Sequence, residues 1–371
     1  MSSHLFERIA LDCFNCGICV KECAFLQEYG TPQKIAVDWL AGRGRKNRQV
    51  PFECSLCGLC RAVCPKDLDP SAMFLDMRRE LVAKGDGDFR EHNTIRSYEK
   101  RGSSPLLSWF HFPENCHTVL FPGCALPGSR PLTLTRLFSF LQESIPDIGV
   151  ALDCCTKPSH DLGNSVHFQT MFRELCRILT SHSVKTVLTV CPNCYRIFKE
   201  YGTDLEVRSV YEDLARSGNF SENLQTEITV HDPCGVRFSE EVQQSTRDLL
   251  QLQGLKIREM KHNRTKSYCC GEGGAAGFIR PDFAEKWTRK RVNEAGPDQI
   301  VSYCAGCTHY LGKEAKTHHL LDLLFFPQAV MQGRQKVSKS PFTYWNRYRL
   351  KQTLKKQLPD GISGTRLELR N

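Results

Sequence analysis

The sequence predicts an α/β protein: a small α-rich N-terminal domain, followed by an α/β unit that occurs twice and carries parallel sheets. Three observations lead there. Twenty cysteines stand in a chain of 371 residues, and eighteen of them fall into ordered series. The last ten of these repeat as two sets of five. Around them, short β-branched runs alternate with helix-patterned stretches, as in parallel sheets with crossover connections.

The bounds come first. This length allows two or three domains with their own cores. Hydrophobic residues make up 40% and charged residues 25%, an ordinary globular balance. The start, "MSSHLFERIALDC", lacks the apolar stretch and cleavage site of a secretory signal. The longest apolar run, "LLDLLFF" at 320–326, is too short to span a membrane. Abundant cysteine without a signal points to metal binding in the reducing cytoplasm, not to disulfides.

The N-terminal domain is expected over residues 1–84. "CFNCGICVKEC" supplies Cys13, Cys16, Cys19 and Cys23, and "CSLCGLCRAVCP" supplies Cys54, Cys57, Cys60 and Cys64. Both have the bacterial ferredoxin spacing C-x2-C-x2-C-x3-C, in which three thiolates wrap one [4Fe–4S] cluster and the fourth serves the other. One cubane cluster is thus expected on Cys13, Cys16, Cys19 and Cys64, and the second on Cys54, Cys57, Cys60 and Cys23. Zinc also uses C-x2-C pairs, but two copies of a four-cysteine string favour the two-cluster module. "PSAMFLDMRRELVAKG" has helical spacing and a terminal glycine, closing this domain. Residues 85–115, polar and without periodicity, read as a linker.

Beyond it the chain repeats. Cys124, Cys154, Cys155, Cys191 and Cys194 form one series, and Cys234, Cys269, Cys270, Cys304 and Cys307 the other. Equivalent cysteines are 110, 115 and 113 residues apart, the mark of a duplicated unit, here over 116–225 and 226–331. "HTVLFPGC", "KTVLTVCPNC", "EITVHDPC" and "DQIVSYCAGC" are strands that end on cysteine. "NSVHFQTMFRELCRIL" and "DFAEKWTRKRVNEAG" are intervening helices. Since ligands of open parallel sheets sit outside the strands' carboxyl ends, each repeat would aim five thiolates into one crevice.

This order, C…CC…C-x2-C twice behind a ferredoxin module, resembles the cysteine-rich "CCG" domains of heterodisulfide reductases, in their fused catalytic-subunit form. Similar chains serve anaerobic metabolism as the iron–sulfur subunit of glycerol-3-phosphate dehydrogenase and in membrane-bound sulfate-reduction complexes. The resemblance covers roughly residues 10–330. It implies that each repeat holds a non-cubane [4Fe–4S] cluster, two fused iron–sulfur rhombs on five cysteines, which accommodates adjacent thiolates. A disulfide would be cleaved between the two clusters, making all ten cysteines catalytic. Thr156 follows the first pair where the family has glycine; Gly271 keeps it in the second. The "GEGGAAG" after Cys270 lacks nucleotide-binding spacing and is expected to be crowded by a cluster.

Cys116 and Cys176 are expected to pack as small hydrophobes. His160 and His231 lie near cysteines and are read as hydrogen-bonding a cluster sulfur or loop backbone, with proton transfer as the alternative. Residues 332–371 carry ten Lys/Arg against Asp360 and Glu368, hence +8 of the net +9. With Phe342, Tyr344, Trp345 and Tyr348 interleaved, this basic aromatic tail suits an anionic membrane surface or an acidic partner; nothing else supports nucleic acid. The protein would then sit in the cytoplasm, peripherally on the inner face of the membrane. Two functions stay open: a disulfide/thiol oxidoreductase acting on a small molecule, or an electron carrier linking a dehydrogenase to a quinone or cytochrome. No flavin or nicotinamide motif is visible, so either draws electrons from a partner such as a flavoprotein.

Overall fold

The β-branched runs that end on cysteine become the inner strands of two sheets in the computed structural model, which describes residues 3–218, 220, 222–358 and 360–369. In chain order the strands are β1 (Trp109–Phe112), β2 (Thr118–Phe121), β3 (Gly149–Leu152), β4 (Thr186–Thr189), β5 (Glu206–Ser209), β6 (Glu227–His231), β7 (Lys256–Ile257), β8 (Gln299–Ser302), β9 (Thr317–His319) and β10 (Ile362–Gly364). The first sheet runs β10-β1-β3-β2-β4-β5 and the second β7-β6-β8-β9. The second is wholly parallel. Numbered within each repeat, the parallel strands follow the same order, second-first-third-fourth, as a duplicated unit requires.

Strands buried on both faces read as unbroken apolar runs. Val119, Leu120, Phe121, Val187 and Leu188 are fully buried, and one core joins them to Val230, Val301 and Tyr303 of the second sheet. Buried polar contacts pin the halves together. Arg130 Nε donates to Asp322 Oδ2 at 2.6 Å and Thr133 Oγ1 to Asp322 Oδ1 at 2.7 Å.

The N-terminal region is helical around its own core of Phe6, Phe25, Trp39, Phe52 and Phe74. Its last helix, Pro70–Ala83, starts on Pro70 with Asp69 accepting from the Ala72 amide. This helix carries Arg78, fully buried, whose guanidinium donates to the carbonyls of Pro51, Cys54, Asp161 and Gly274. One side chain thereby ties the ferredoxin-like region to both repeats. Arg78→Met should cost roughly 3–5 kcal/mol by stranding these acceptors, lowering the urea midpoint of the anaerobic protein.

Two expectations need correction. Residues 85–115 are not a bare linker: they contain the helix Asn93–Gly102 and β1. The helix looked unstructured because one of its buried residues is Glu99, which accepts from the Ser159 amide at 2.8 Å and its hydroxyl at 2.5 Å. Nor are residues 332–371 a free tail. The helix Phe342–Gln357 buries Arg347, Leu350, Lys351 and Leu354, one face at helical spacing. Arg347 donates to Gly102 O at 3.0 Å, and Lys351 to Pro105 O at 2.5 Å and Ser108 O at 2.9 Å. Farther on, β10 pairs antiparallel with β1, and β1 with β3, so the first sheet is mixed, not purely parallel. Arg366 is buried against Asp153, with Nε 2.6 Å from Oδ2. Arg370 lies outside the described residues.

Candidate metal centres

In each repeat the sheet order reverses beside the first strand, between β2 and β4 in one and between β6 and β8 in the other. That switch point opens a crevice at the strands' carboxyl ends. Cys124, the 154–155 pair and Cys191 follow β2, β3 and β4; Cys234, the 269–270 pair and Cys304 follow β6, β7 and β8. A cavity of about 420 Å³ is lined by Cys124, Cys154, Cys155, Cys191, Cys194, Cys234, Cys270, Cys304 and Cys307. Cys269 lies behind it in contact with Cys234.

The adjacent pairs divide their sulfurs. Cys154 meets Cys124, while Cys155 meets Cys194 at 3.3 Å, and Cys194 meets Cys191. In the second repeat Cys269 meets Cys234, and Cys270 meets Cys307, which meets Cys304. Two further contacts join the sets. Cys191 touches Cys304, between the repeats, and Cys269 touches Cys57 of the ferredoxin-like region. Arg237, buried, clamps this second junction by donating to Cys57 O at 2.8 Å and Thr265 O at 2.5 Å.

The N-terminal eight cysteines fall around two small cavities. One is lined by Cys13, Cys16, Cys19 and Cys64, and also by Cys60. The other is lined by Cys23, Cys54, Cys57 and Cys60, with Cys19 between the two. Burial and crowding oppose ionisation at most of these sulfurs: the Cys19 thiol is pushed up to about 11 by burial and then by Cys13, Cys16 and Cys64, whereas the contact with Cys269 draws Cys57 down to about 6. Burial pushes Cys54 up to about 12, and burial with Cys54 and Cys57 pushes Cys60 well up. Converging sulfurs that repel one another as thiolates are the donor set that a cationic iron–sulfur core neutralises, so these residues fit such groups.

Thr156 takes the left-handed conformation, with φ of 58°. For a β-branched residue that costs about 1–3 kcal/mol. Gly271, its counterpart, has φ of 104° and leaves no room for a side chain, since a Cβ would stand 2.5 Å from Ala284 O. The following glycines are crowded by protein backbone: a Cβ on Gly274 would stand 2.7 Å from Cys54 O, and one on Gly273 would overlap Ser55 O.

His160 does not line the cysteine cavity; it is buried between Asp161 and Tyr201, each at 2.9 Å. Cys116 donates to Thr118 O at 3.4 Å within the core, and Cys176 packs against that core. Sequence reasoning missed Glu272. Its carboxyl presses on Gly306 and lies within 4.8 Å of the Cys304 and Cys307 sulfurs; burial, then the Cys270 sulfur, raises it to about 8. The signal was present in "CCGEGG", an acid two residues from a ligand-type pair.

Comparison with known proteins follows the same division. A 4Fe-4S dicluster domain matches residues 12–69, and a cysteine-rich domain matches twice, over 118–199 and 228–312. One component of the fumarate reductase (CoM/CoB) of Methanothermobacter marburgensis is 25% identical over 347 residues, covering 84% of this chain and 69% of the relative. One component of the dihydromethanophenazine:CoB–CoM heterodisulfide reductase of Methanosarcina mazei is 27% identical over 293 residues, covering 70% of this chain and 71% of the relative. The EtfAB:quinone oxidoreductase of Syntrophomonas wolfei is 25% identical over 288 residues; they cover 67% of this chain and only 40% of the relative. With both cysteine modules matched in this order, the chain belongs to the heterodisulfide reductase-like iron–sulfur oxidoreductases, a 4Fe-4S dicluster domain carried in front of two cysteine-rich domains.

Proposed function

We propose that the protein takes electrons through two cubane [4Fe–4S] clusters and reduces, or in reverse forms, a small-molecule disulfide at two non-cubane [4Fe–4S] clusters. The observation that carries this reading is the single cavity on which both five-cysteine sets open. Cys13, Cys16, Cys19 and Cys64 would hold one cubane cluster, and Cys54, Cys57, Cys60 and Cys23 the other. Cys124, Cys154, Cys155, Cys191 and Cys194 would hold one non-cubane cluster, and Cys234, Cys269, Cys270, Cys304 and Cys307 the second. When bound, these groups would supply one-electron carriers and, in the cavity, thiophilic iron for the sulfurs of a disulfide. The overall change consumes two electrons and two protons, breaks the S–S bond and releases two thiols.

The chain's own residues arrange the rest. The Cys57–Cys269 contact sets the ferredoxin-like region against the second repeat, and Cys191–Cys304 sets the second repeat against the first. Arg78 and Arg237 hold those surfaces together. The domain limits 1–84, 116–225 and 226–331 fit this division of labour, with 85–115 and 332–371 completing the first repeat. Anaerobic metal analysis is the test: about sixteen irons per chain if every site holds four, with matching sulfide and essentially no zinc. Stoichiometric zinc with half the iron would end the assignment for one module.

The carrier reading draws on the quinone oxidoreductase among the relatives. Either role needs an electron-exchanging partner, a flavoprotein or a membrane cytochrome or quinone module. No helix among the described residues is long and apolar enough to cross a membrane. The outer face of the Phe342–Gln357 helix offers a docking surface instead: Phe342 is 68% and Trp345 57% exposed, beside exposed Arg349, Lys355 and Lys356. Each cation near an anionic bilayer contributes about 1 kcal/mol, and salt screens that share. The intact chain should float with anionic vesicles. Phe342→Ser with Trp345→Ser should remove the binding that survives high salt, and equal flotation of both forms would assign this face to a protein partner.

A further inference from the structure

The two cysteine-rich sites are built alike in strand order and ligand spacing; beyond Thr156 against Gly271 and Lys157 against Glu272, they differ at one buried position of the inner strand. Three residues before the first cysteine of each set, the inner strand carries Phe121 in one repeat and His231 in the other. The positions are equivalent in register: Phe121 pairs with Thr189, two residues before Cys191, and His231 with Ser302, two before Cys304. Both side chains are fully buried. Phe121 packs edge-on against Phe198, with ring centroids 5.0 Å apart, and offers no donor.

His231 is held differently. Arg291 Nε donates to His231 Nδ1 at 3.1 Å. A guanidinium has only donors, so Nδ1 must accept, and a neutral imidazole then carries its proton on Nε2. Arg291 cannot swing away. It is fully buried and also donates to Val230 O at 2.9 Å, His262 O at 2.6 Å and Glu294 Oε2 at 2.7 Å. Nε2 is buried and no protein atom accepts a hydrogen bond from it. The groups beside it are sulfurs: the histidine and the Cys270 and Cys307 thiols form one group within 4.8 Å. The same tautomer excludes a ligand role, because coordination through Nε2 would require the proton on Nδ1, where Arg291 already donates.

We infer that His231, locked by Arg291, is a fixed N–H donor to the cysteine sulfurs of the second site, and that it makes the two cysteine-rich sites unequal in reduction potential. An N–H aimed at a ligand sulfur stabilises the more negative, reduced state of the group that sulfur holds. The second site, which touches Cys57, is therefore the easier of the two to reduce. The first, with Phe121, is the harder. Electrons arriving from the ferredoxin-like region settle first on the second repeat. His231 is a positioning residue here and need not touch substrate.

The inference rests on the ligand sets proposed above, and its test separates the two. The full chain, loaded anaerobically, is titrated redox-metrically under electron paramagnetic resonance, as wild type, His231→Phe and His231→Gln. The phenylalanine copies the first repeat, whereas the glutamine keeps an N–H near the Nε2 position. We expect His231→Phe to make one of the two cysteine-rich sites at least tenfold harder to reduce, 59 mV for a one-electron couple, with the other signals unmoved. His231→Gln should stay within a few-fold of wild type. A fully iron-loaded His231→Phe with unchanged potentials overturns the inference. So does a strong, directly coordinated nitrogen coupling in pulsed spectra of the wild type. If His231→Phe fails to load iron, His231→Gln decides: a full tenfold loss there also overturns it. A wild type without the four expected clusters would instead defeat the ligand assignment itself.

Discussion

Deleting residues 332–371 should unfold the first cysteine-rich repeat. The segment supplies the outermost strand of the first sheet, through β10 on β1. It also supplies the Leu350 and Leu354 side chains, 4% and 3% exposed, each worth about 1.5–3 kcal/mol when buried. The largest loss is Arg366. Its removal leaves Asp153 buried without its cation, and breaking such a pair costs about 3–5 kcal/mol. Asp153 also accepts from the Cys154 amide at 2.6 Å, so the damage reaches a proposed ligand directly. Together these terms approach the whole stability of an ordinary domain, about 5–15 kcal/mol. The truncated chain is expected to be insoluble or to lose about a quarter of its iron, one four-iron site of four, with protease cuts appearing in 116–225. The point variant Arg366→Met should lower stability by about 3–5 kcal/mol without removing the helix. Full iron and an unchanged urea midpoint after truncation would mean that the segment only rests on the surface.

This reverses the reading that charge alone suggested, and the reason is physical. Arg347, Lys351 and Arg366 look like solvated charges in sequence, but they bury long apolar stems and direct their heads at backbone carbonyls or at Asp153. Polar residues were likewise the obstacle at 85–115, where Glu99 is buried because Ser159 offers it two donors. The aromatic run "WFHF" of β1 has no alternation, since all four residues are buried, and its partners lie some 40 and 250 residues away. Cysteine order was the legible part. A site that needs five thiolates on successive strand ends forces their spacing into the chain, and duplication prints it twice. The inner strands were legible for a related reason, each being apolar, β-branched and ended by a cysteine. What sequence could not reveal is orientation. That Cys154 and Cys155 face different partners, or that Arg291 meets His231 across 60 positions, is set by the sheets.

Replacing Cys270 with alanine should lower disulfide turnover by more than about 100-fold, beyond the loss that follows removal of a supporting residue around a metal. Cys270 lines the cavity and lies against Cys269, Cys307 and His231, so no neighbouring thiol is spare to take its place. The ferredoxin-type signals should persist, because Cys13, Cys16, Cys19 and Cys64, and Cys23, Cys54, Cys57 and Cys60, surround separate cavities. Cys57→Ala tests the opposite end. It should erase one ferredoxin-type signal and slow reduction by a protein donor, while the iron assigned to the ten cysteines of the two repeats remains. The two variants together separate the proposed roles. An enzyme loses its chemistry with Cys270 and its supply with Cys57, whereas a pure carrier has no disulfide chemistry to lose. A Cys270→Ala protein that still reduced a disulfide from a reduced dye at the wild-type rate would give the chemistry to another protein of the complex and leave this chain as the conductor.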